Sequence, residues 1–455
     1  MACHLTAMAQ WDFSAASSVM VQGDGEGPFF LYSGKRGTIL ENDAAVTPYL
    51  FLDGSYYHFS QDSTFAVHGL ISTAMSYQDS GAKFALDQYF VSADYLFMRL
   101  SIGAEAPMTR YGGLSPTNGD MLMSNNARPY PKIMGSTRGY ISLPFGWLKE
   151  WFSWYAEYGE GLLNDDRIVD GVNLHQKKLH GKVMTPWGLS LEVGLDDYMM
   201  WGGTSANPKY GDMTPTFKDY LNGVMGRAAS SDGLMTDQMN VVGNHIGQHV
   251  FRINYQNSDF EVEGYYLHLF EDGSGKDFKN FPDGTWGLTW HRKKKAWLDR
   301  ALFEFFTTKD QSGDVFNQEK EIGGRDNYFN HGVYNSGWTY YGRTIGTPFM
   351  VPRESGNGFA SNRMEGYYLG LQGHLMSNLI WETRFAYWQH WGWNYDNPDV
   401  SANDPNYPKS QQSYGIRMIY SMNSNFVFSV DLGLDHGEVV GDSKGALLTV
   451  QYNLD

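Results

Sequence analysis

The side chains of this 455-residue sequence best suited to recognising a small molecule are aromatic and fall in two stretches. Trp338, Tyr340 and Tyr341 stand near Asn335 and Arg343, while Trp393, Tyr395, Asp396, Asn397 and Tyr407 follow Trp391. Flat aromatic faces beside carboxamide, carboxylate and guanidinium groups suit a sugar, whose ring presents C–H bonds on one face and hydroxyls around its edge. The candidate glycan-binding residues are therefore Trp338, Tyr340, Tyr341, Arg343, Trp393, Tyr395 and Asp396. Loop packing or an interfacial aromatic girdle is the competing role for each of them. Depth in a loop, as for Tyr395, favours binding; a place at a strand end, as for Trp391, favours the girdle.

Arg128, Arg325, Arg343 and Arg353 lie in long connections of a chain whose net charge is -16. A guanidinium there can hold a carboxylated sugar through two parallel hydrogen bonds, or it can tie one loop to another. Ser336, His331 and Asp326 share one connection and have the side-chain types of a nucleophile, a base and an orienting acid. Ordinary loop composition brings those types together often, so a hydrolase stands as an alternative and no catalytic residue is assigned. His245 and His249 have the spacing of a helical ligand pair but fall in a strand, and His175 and His180 point to opposite faces of another. No metal site and no cofactor are expected. The single Cys3 excludes an intrachain disulfide framework.

The elements that must hold these loops are strands. Aromatic residues make up 16% of the chain, charged residues 18%, and there are 52 glycines, a strand-rich and turn-rich profile. No run approaches the roughly 18 apolar residues that a spanning helix needs. Period-two alternation is clearest near the C-terminus: Phe426, Phe428, Val430, Leu432 and Leu434 alternate with Ser429, Asp431 and Asp435. Likewise Phe260 and Val262 alternate with Glu261 and Glu263, and Trp381, Phe385 and Tyr387 alternate with Glu382 and Arg384, placing the charges inside. Strands are expected at 12–22, 45–60, 64–78, 84–92, 95–105, 136–144, 148–160, 172–185 and 188–200. Nine more are expected at 246–256, 259–270, 284–292, 296–309, 362–373, 377–391, 411–422, 425–436 and 444–454.

Short connections such as Pro186–Trp187 and Asn423–Ser424 alternate with long ones at 106–135, 201–245, 310–361 and 392–410. That asymmetry predicts an all-β protein: one transmembrane antiparallel β-barrel of about 18 strands, with short periplasmic turns, long extracellular loops and both termini periplasmic. The barrel domain is expected over 10–455. Residues 1–9 end in Ala7-Met8-Ala9, which suggests a residual signal-peptide segment, the alternative being a simple leader. Pro28–Thr38 is either a surface loop or an inward fold that narrows the pore. The acidic balance and lack of a basic stripe exclude nucleic acid as a partner.

Several stretches in shared order resemble the Wzi-type capsule assembly family of outer-membrane proteins, in its Bacteroidetes branch. They are Tyr32-Ser33-Gly34-Lys35-Arg36-Gly37-Thr38-Ile39, Met123-Ser124-Asn125-Asn126-Ala127-Arg128-Pro129-Tyr130-Pro131-Lys132-Ile133 and Leu174-His175-Gln176-Lys177. Trp201-Gly202-Gly203, Gly243-Asn244-His245-Ile246-Gly247 and Ser336-Gly337-Trp338-Thr339-Tyr340-Tyr341-Gly342-Arg343-Thr344-Ile345-Gly346 complete the set. The resemblance implies an eighteen-stranded barrel in the outer membrane of a Gram-negative bacterium, non-catalytic and lectin-like, that binds and anchors capsular polysaccharide. It also implies a monomer among outer-membrane lipids with polysaccharide export machinery as a further partner. A porin or substrate-specific channel is the alternative, since a barrel of this size can enclose water. Against it stand bulky residues such as Tyr89, Tyr265 and Tyr368, which could fill the lumen.

Overall fold

The structure, a computed structural model, describes residues 8–23, 27–39, 44–60, 62, 64–78, 81–146, 148–227, 242–312, 326–392 and 407–454. Among these residues, eighteen antiparallel strands close into one barrel. They are β1 (Met8–Gln22), β2 (Val46–Phe59), β3 (Phe65–Gln78), β4 (Gly81–Tyr95), β5 (Met98–Ala104) and β6 (Lys132–Thr137, continued past Gly139 by Ile141–Ser142). Then come β7 (Phe152–Leu163), β8 (Val172–Met184), β9 (Leu189–Trp201), β10 (Asn244–Gln256), β11 (Phe260–Phe270) and β12 (Gly284–Arg292). The last six are β13 (Arg300–Thr307), β14 (Met364–Met376), β15 (Leu379–His390), β16 (Lys409–Ser421), β17 (Phe426–Gly437) and β18 (Ser443–Leu454). Each pairs with its sequence neighbours, and β1 pairs with β18, Phe13 opposite Leu454 and Gln22 opposite Gly445. Closure removes the unpaired edges that an open sheet would carry.

The alternating sequence becomes two faces. In β9, Leu191, Val193 and Leu195 point outward and are exposed, whereas Ser190, Glu192 and Asp196 point inward and are buried. The same split holds in β17, with Val430, Leu432 and Leu434 outside and Ser429, Asp431 and Asp435 inside. Exposed aromatics gather at the short-turn end: Trp11, Tyr95, Phe97, Phe145, Trp187, Trp297 and Phe426. An apolar band edged by an aromatic girdle is what lipid requires of a barrel, and about 13 residues at roughly 3.3 Å each, tilted about 40°, reach across a bilayer core. No helix among the described residues is long and apolar enough to cross a membrane.

The hydrophobic core lies inside the lumen. The chain after β1 turns inward, and α1 (Phe29–Tyr32) buries all four of its side chains there. Of the two courses open to Pro28–Thr38, it takes the inward one. The Phe29 N–H donates to Asp435 Oδ2 at 2.7 Å. Gly415 and Gly433 make the space: a Cβ at Gly415 would lie 3.1 Å from Phe30 and one at Gly433 would lie 2.5 Å from Pro28. The connection after β5 also enters, where Ser115 and Thr117 donate to Glu304 and Arg252 donates to Tyr111, Glu263 and the Gly119 carbonyl. Residues 326–362 complete the plug, packing Trp338, Phe349 and Phe359 with Leu114, Leu122, Phe306 and Trp388. Tyr265 and Tyr368 do fill the lumen, donating to Glu304 and the Leu114 carbonyl. Tyr89 is only half-buried, in register with Ile71 and Ala104.

Several boundaries depart from the sequence pattern. Leu148–Trp151 forms a helical turn rather than the first turn of strand 148–160. The strand expected at 136–144 begins earlier, at Lys132, and breaks around Gly139, whose φ is +76°. β1 begins at Met8, so Met8 and Ala9 belong to the barrel rather than preceding it; Cys3 and the rest of residues 1–7 lie outside the described residues.

Candidate functional site

Residues 336–346 fold back on themselves at the loop end of the barrel. Thr339 and Tyr340 pair with Thr344 and Arg343, and the chain reverses through Tyr341 and Gly342 with φ of 48° and 73°. Two consecutive positive φ values match the twist of a tight hairpin, but a tyrosine pays steric strain where glycine or asparagine would fit easily. Such a residue persists only when its surroundings hold it. Here the Tyr341 N–H donates to Asp165 Oδ2 at 2.9 Å, and the Arg128 guanidinium lies over its ring at 4.3 Å from the centroid. The ring of Tyr340 meets it edge-on at 4.7 Å. Tyr341 is nonetheless 48% exposed, a braced aromatic face open to solvent. Arg128 Nε beside it is buried without a hydrogen-bond partner among the described residues.

The hairpin rests on the other two inward loops. Ser124 donates to the Gly346 carbonyl, Asn126 Nδ2 to the Thr344 carbonyl and Thr347 N–H to the Met121 carbonyl. Arg343 donates to the Ile39 carbonyl and lies over the Tyr32 ring, while the Gly34 and Arg36 amides reach Asn126 and the Asn125 carbonyl. Three of the sequence stretches singled out above, 32–39, 123–133 and 336–346, thus interlock into one roof. The wall supplies further support: Arg36 holds Asp87 on β4 with two guanidinium nitrogens.

The predicted residues separate by burial. Trp338 is 1% exposed, its indole N–H donates to the Leu122 carbonyl at 2.7 Å and its ring meets Tyr198 edge-on. Tyr340 is buried as well and donates to Asn164 Oδ1 at 2.5 Å. Neither presents a face to a ligand; both hold the roof, because an indole or phenol with its polar atom satisfied inside a plug is a packing group. Tyr341 and, partly, Arg343 remain at the surface. Trp393, Tyr395 and Asp396, like Asn397 and Arg325, lie outside the described residues. Arg353 donates to the Asn357 carbonyl of its own loop.

Sequence reasoning passed over Asn164, Asp165 and Arg167. They form a polar run in the connection between β7 and β8, and Arg167 reaches the Gly337 and Thr339 carbonyls from beneath the hairpin. A cluster of charge in so short a connection was the available signal.

Ser336, His331 and Asp326 are each engaged separately. Ser336 Oγ accepts from Ile168 N–H, His331 Nδ1 accepts from the Val333 and Tyr334 amides, and Asp326 accepts from Ser312. Burial lowers the His331 pKa to about 4, leaving a neutral ring. These contacts leave no relay among the three. His175 faces out onto Glu160, while His180 faces in between Glu192 and Asp196, as their opposite parity requires. No group of three His, Cys, Asp or Glu side chains among the described residues could hold a metal ion.

A family model, capsule assembly protein Wzi, matches residues 46–360. No curated protein matches the chain. Among solved structures, Wzi of Escherichia coli, an outer-membrane protein involved in group 1 capsule assembly and a carbohydrate-binding β-barrel, aligns with a TM-score of 0.57 at 13% identity, over 97% of this chain and 84% of that one. OprD of Pseudomonas aeruginosa aligns with a TM-score of 0.49 at 10% identity, over 99% and 97%. OccAB4 of Acinetobacter baumannii gives 0.47 at 9%, over 99% of both chains.

Proposed function

The chain belongs to the Wzi capsule assembly family, and from that premise we propose that it binds capsular polysaccharide at the cell surface and anchors it to the outer membrane. The observation that carries the site is the exposed ring of Tyr341, held at a strained hairpin tip by Asp165 and Arg128 on a roof of three interlocked loops. A sugar ring stacks its C–H face on such a platform, and the guanidinium edge of Arg128 donates to hydroxyl or carboxylate oxygens. Rigidity matters, because a platform fixed before binding loses little entropy on contact. Arg343, Trp393, Tyr395 and Asp396 are proposed as further glycan contacts, with Trp338 and Tyr340 positioning the platform from below. Binding without chemistry suits the engagement of Ser336, His331 and Asp326 in separate structural hydrogen bonds.

The finer parts of the proposal rest on the same barrel. A sheet that closes on itself offers no edge for self-pairing, which favours a monomer. Export machinery would meet the short-turn side, and the order of the family-like stretches suggests a source among the Bacteroidetes. The test is cellular: deleting the gene should release polysaccharide from the surface into the medium, and the wild-type chain should restore retention. Unchanged retention in the deletion strain would remove the anchoring role.

A further inference from the structure

One sector of the outer wall breaks the apolar pattern. On the outward face of β7 to β10, near the loop end, stand Glu160, His175, Lys177, Asp197 and His245, where lipid-facing side chains are apolar one step lower, at Leu179 and Leu195. Polar groups on a lipid face are costly unless covered or paired. They are both. Lys177 pairs with Asp197 at 2.8 Å and His175 with Glu160 at 2.6 Å.

Over them lies a helix, α2 (Phe217–Val224), capped by Thr216 and pinned to the wall from outside. Tyr220 donates to Glu160 and meets the Tyr158 hydroxyl, Lys177 donates to the Val224 carbonyl, and Gly223 lets the backbone settle against Met199. The wall-facing side of α2 is thereby occupied, and its other side carries Phe217, Leu221 and Met225 at intervals of four, 76%, 44% and 64% exposed. The neighbouring connection 271–283 covers β10 and β11 in the same way, Phe278 stacking on His268 at 4.1 Å with Phe281 left exposed.

Cations sit along this apolar ledge in a chain of net charge -16. Lys218, Arg227, Lys276 and Lys279 are exposed. The Lys276 ammonium lies 4.0 Å from where a Cβ at Gly226 would stand, so it adjoins Arg227 across the two segments. Lys279 has Asp277 at 3.7 Å, and no ion pair is formed by Arg227 or Lys276 among the described residues.

An apolar ledge continuous with the lipid-facing wall and bordered by exposed cations matches an amphiphile that carries both acyl chains and phosphate. We infer that α2 and the 271–283 connection form a binding site for a phosphorylated glycolipid of the outer leaflet, with Phe217, Leu221 and Met225 on its chains and Arg227, Lys276 and Lys279 on its phosphates. The site lies on the outer wall, separate from the Tyr341 roof and independent of what that roof binds.

The test is native mass spectrometry of the full chain in neutral detergent, titrated with bisphosphorylated lipid A, its dephosphorylated form, or inorganic phosphate. Saturable uptake of the phosphorylated lipid alone is expected. The triple change Arg227→Gln, Lys276→Gln and Lys279→Gln should weaken it about tenfold or more, as expected when several cations at a membrane surface are lost. The same number of charges removed at the short-turn end, by Lys149→Gln, Lys293→Gln and Lys294→Gln, should leave uptake unchanged. Equal uptake of the dephosphorylated lipid, equal loss in the control variant, or competition by inorganic phosphate with no retained lipid would each overturn the assignment.

Discussion

The Arg128 guanidinium lies 4.3 Å from the ring centroid of Tyr341, a tyrosine held at a φ of 48°. The pairing fixes an aromatic face at a position where the backbone would prefer glycine. Tyr341→Gly should therefore keep or slightly raise the thermal stability of the roof, by up to about 1 kcal/mol, while removing the face. Thermal unfolding of the purified barrel checks this. A large loss of stability would mean that the ring is there for packing, as Trp338 is.

Trp338 plays the opposite role. With a buried indole bonded to the Leu122 carbonyl, Trp338→Ala should cost about 3–5 kcal/mol and loosen all three inward loops together. Limited proteolysis of intact cells should cut the variant in these loops and leave the wild type whole. Equal resistance would show that the hairpin does not depend on that anchor.

Because the inward loops fill the lumen, with Tyr111 reaching Glu263 near the short-turn end, the wild-type protein in planar bilayers should pass no steady current. Gly415→Leu with Gly433→Leu removes the space that α1 occupies and should produce open events. Steady conductance by the wild type would favour a channel.

Stability of the plug should depend on pH through the carboxyls near Tyr328. Burial raises Asp283 to about 7 and Asp326 to about 6, and Glu271 is raised too, by burial and by Asp326. The folded chain then holds protons that the unfolded chain releases near 3.8, so it binds more protons between about 4 and 7, and stability falls as pH rises through that window. Amide exchange at Gln311, whose N–H donates to Asp283, should report faster opening at pH 8 than at pH 5. Asp283→Asn should flatten the difference.

The barrel was legible because lipid imposes a period of two on every strand, as through Phe428, Val430 and Leu432, and because short and long connections alternate between the strands. The misplaced start of β7 and the broken β6 arose at the turns, where Leu148–Trp151 obeys local rather than lipid constraints. The site was legible only in part. Tryptophan and tyrosine in a loop look alike in sequence whether they face solvent or a plug, and Trp338 and Tyr341, three residues apart, do one each. What separates them is the partner on the other side: Leu122 for the first, solvent for the second. The charged Asp165 and Arg167 braces carried no pattern that named the hairpin they support.

Tyr341 is the proposed glycan platform, and the decisive measurement is binding of purified capsular polysaccharide from the source organism to the detergent-solubilised protein. Wild type should bind saturably, with Tyr341→Gly about tenfold weaker or worse, and Arg128→Gln reduced in the same direction. Equal binding by Tyr341→Gly, or no saturable binding by the wild type, would contradict the account.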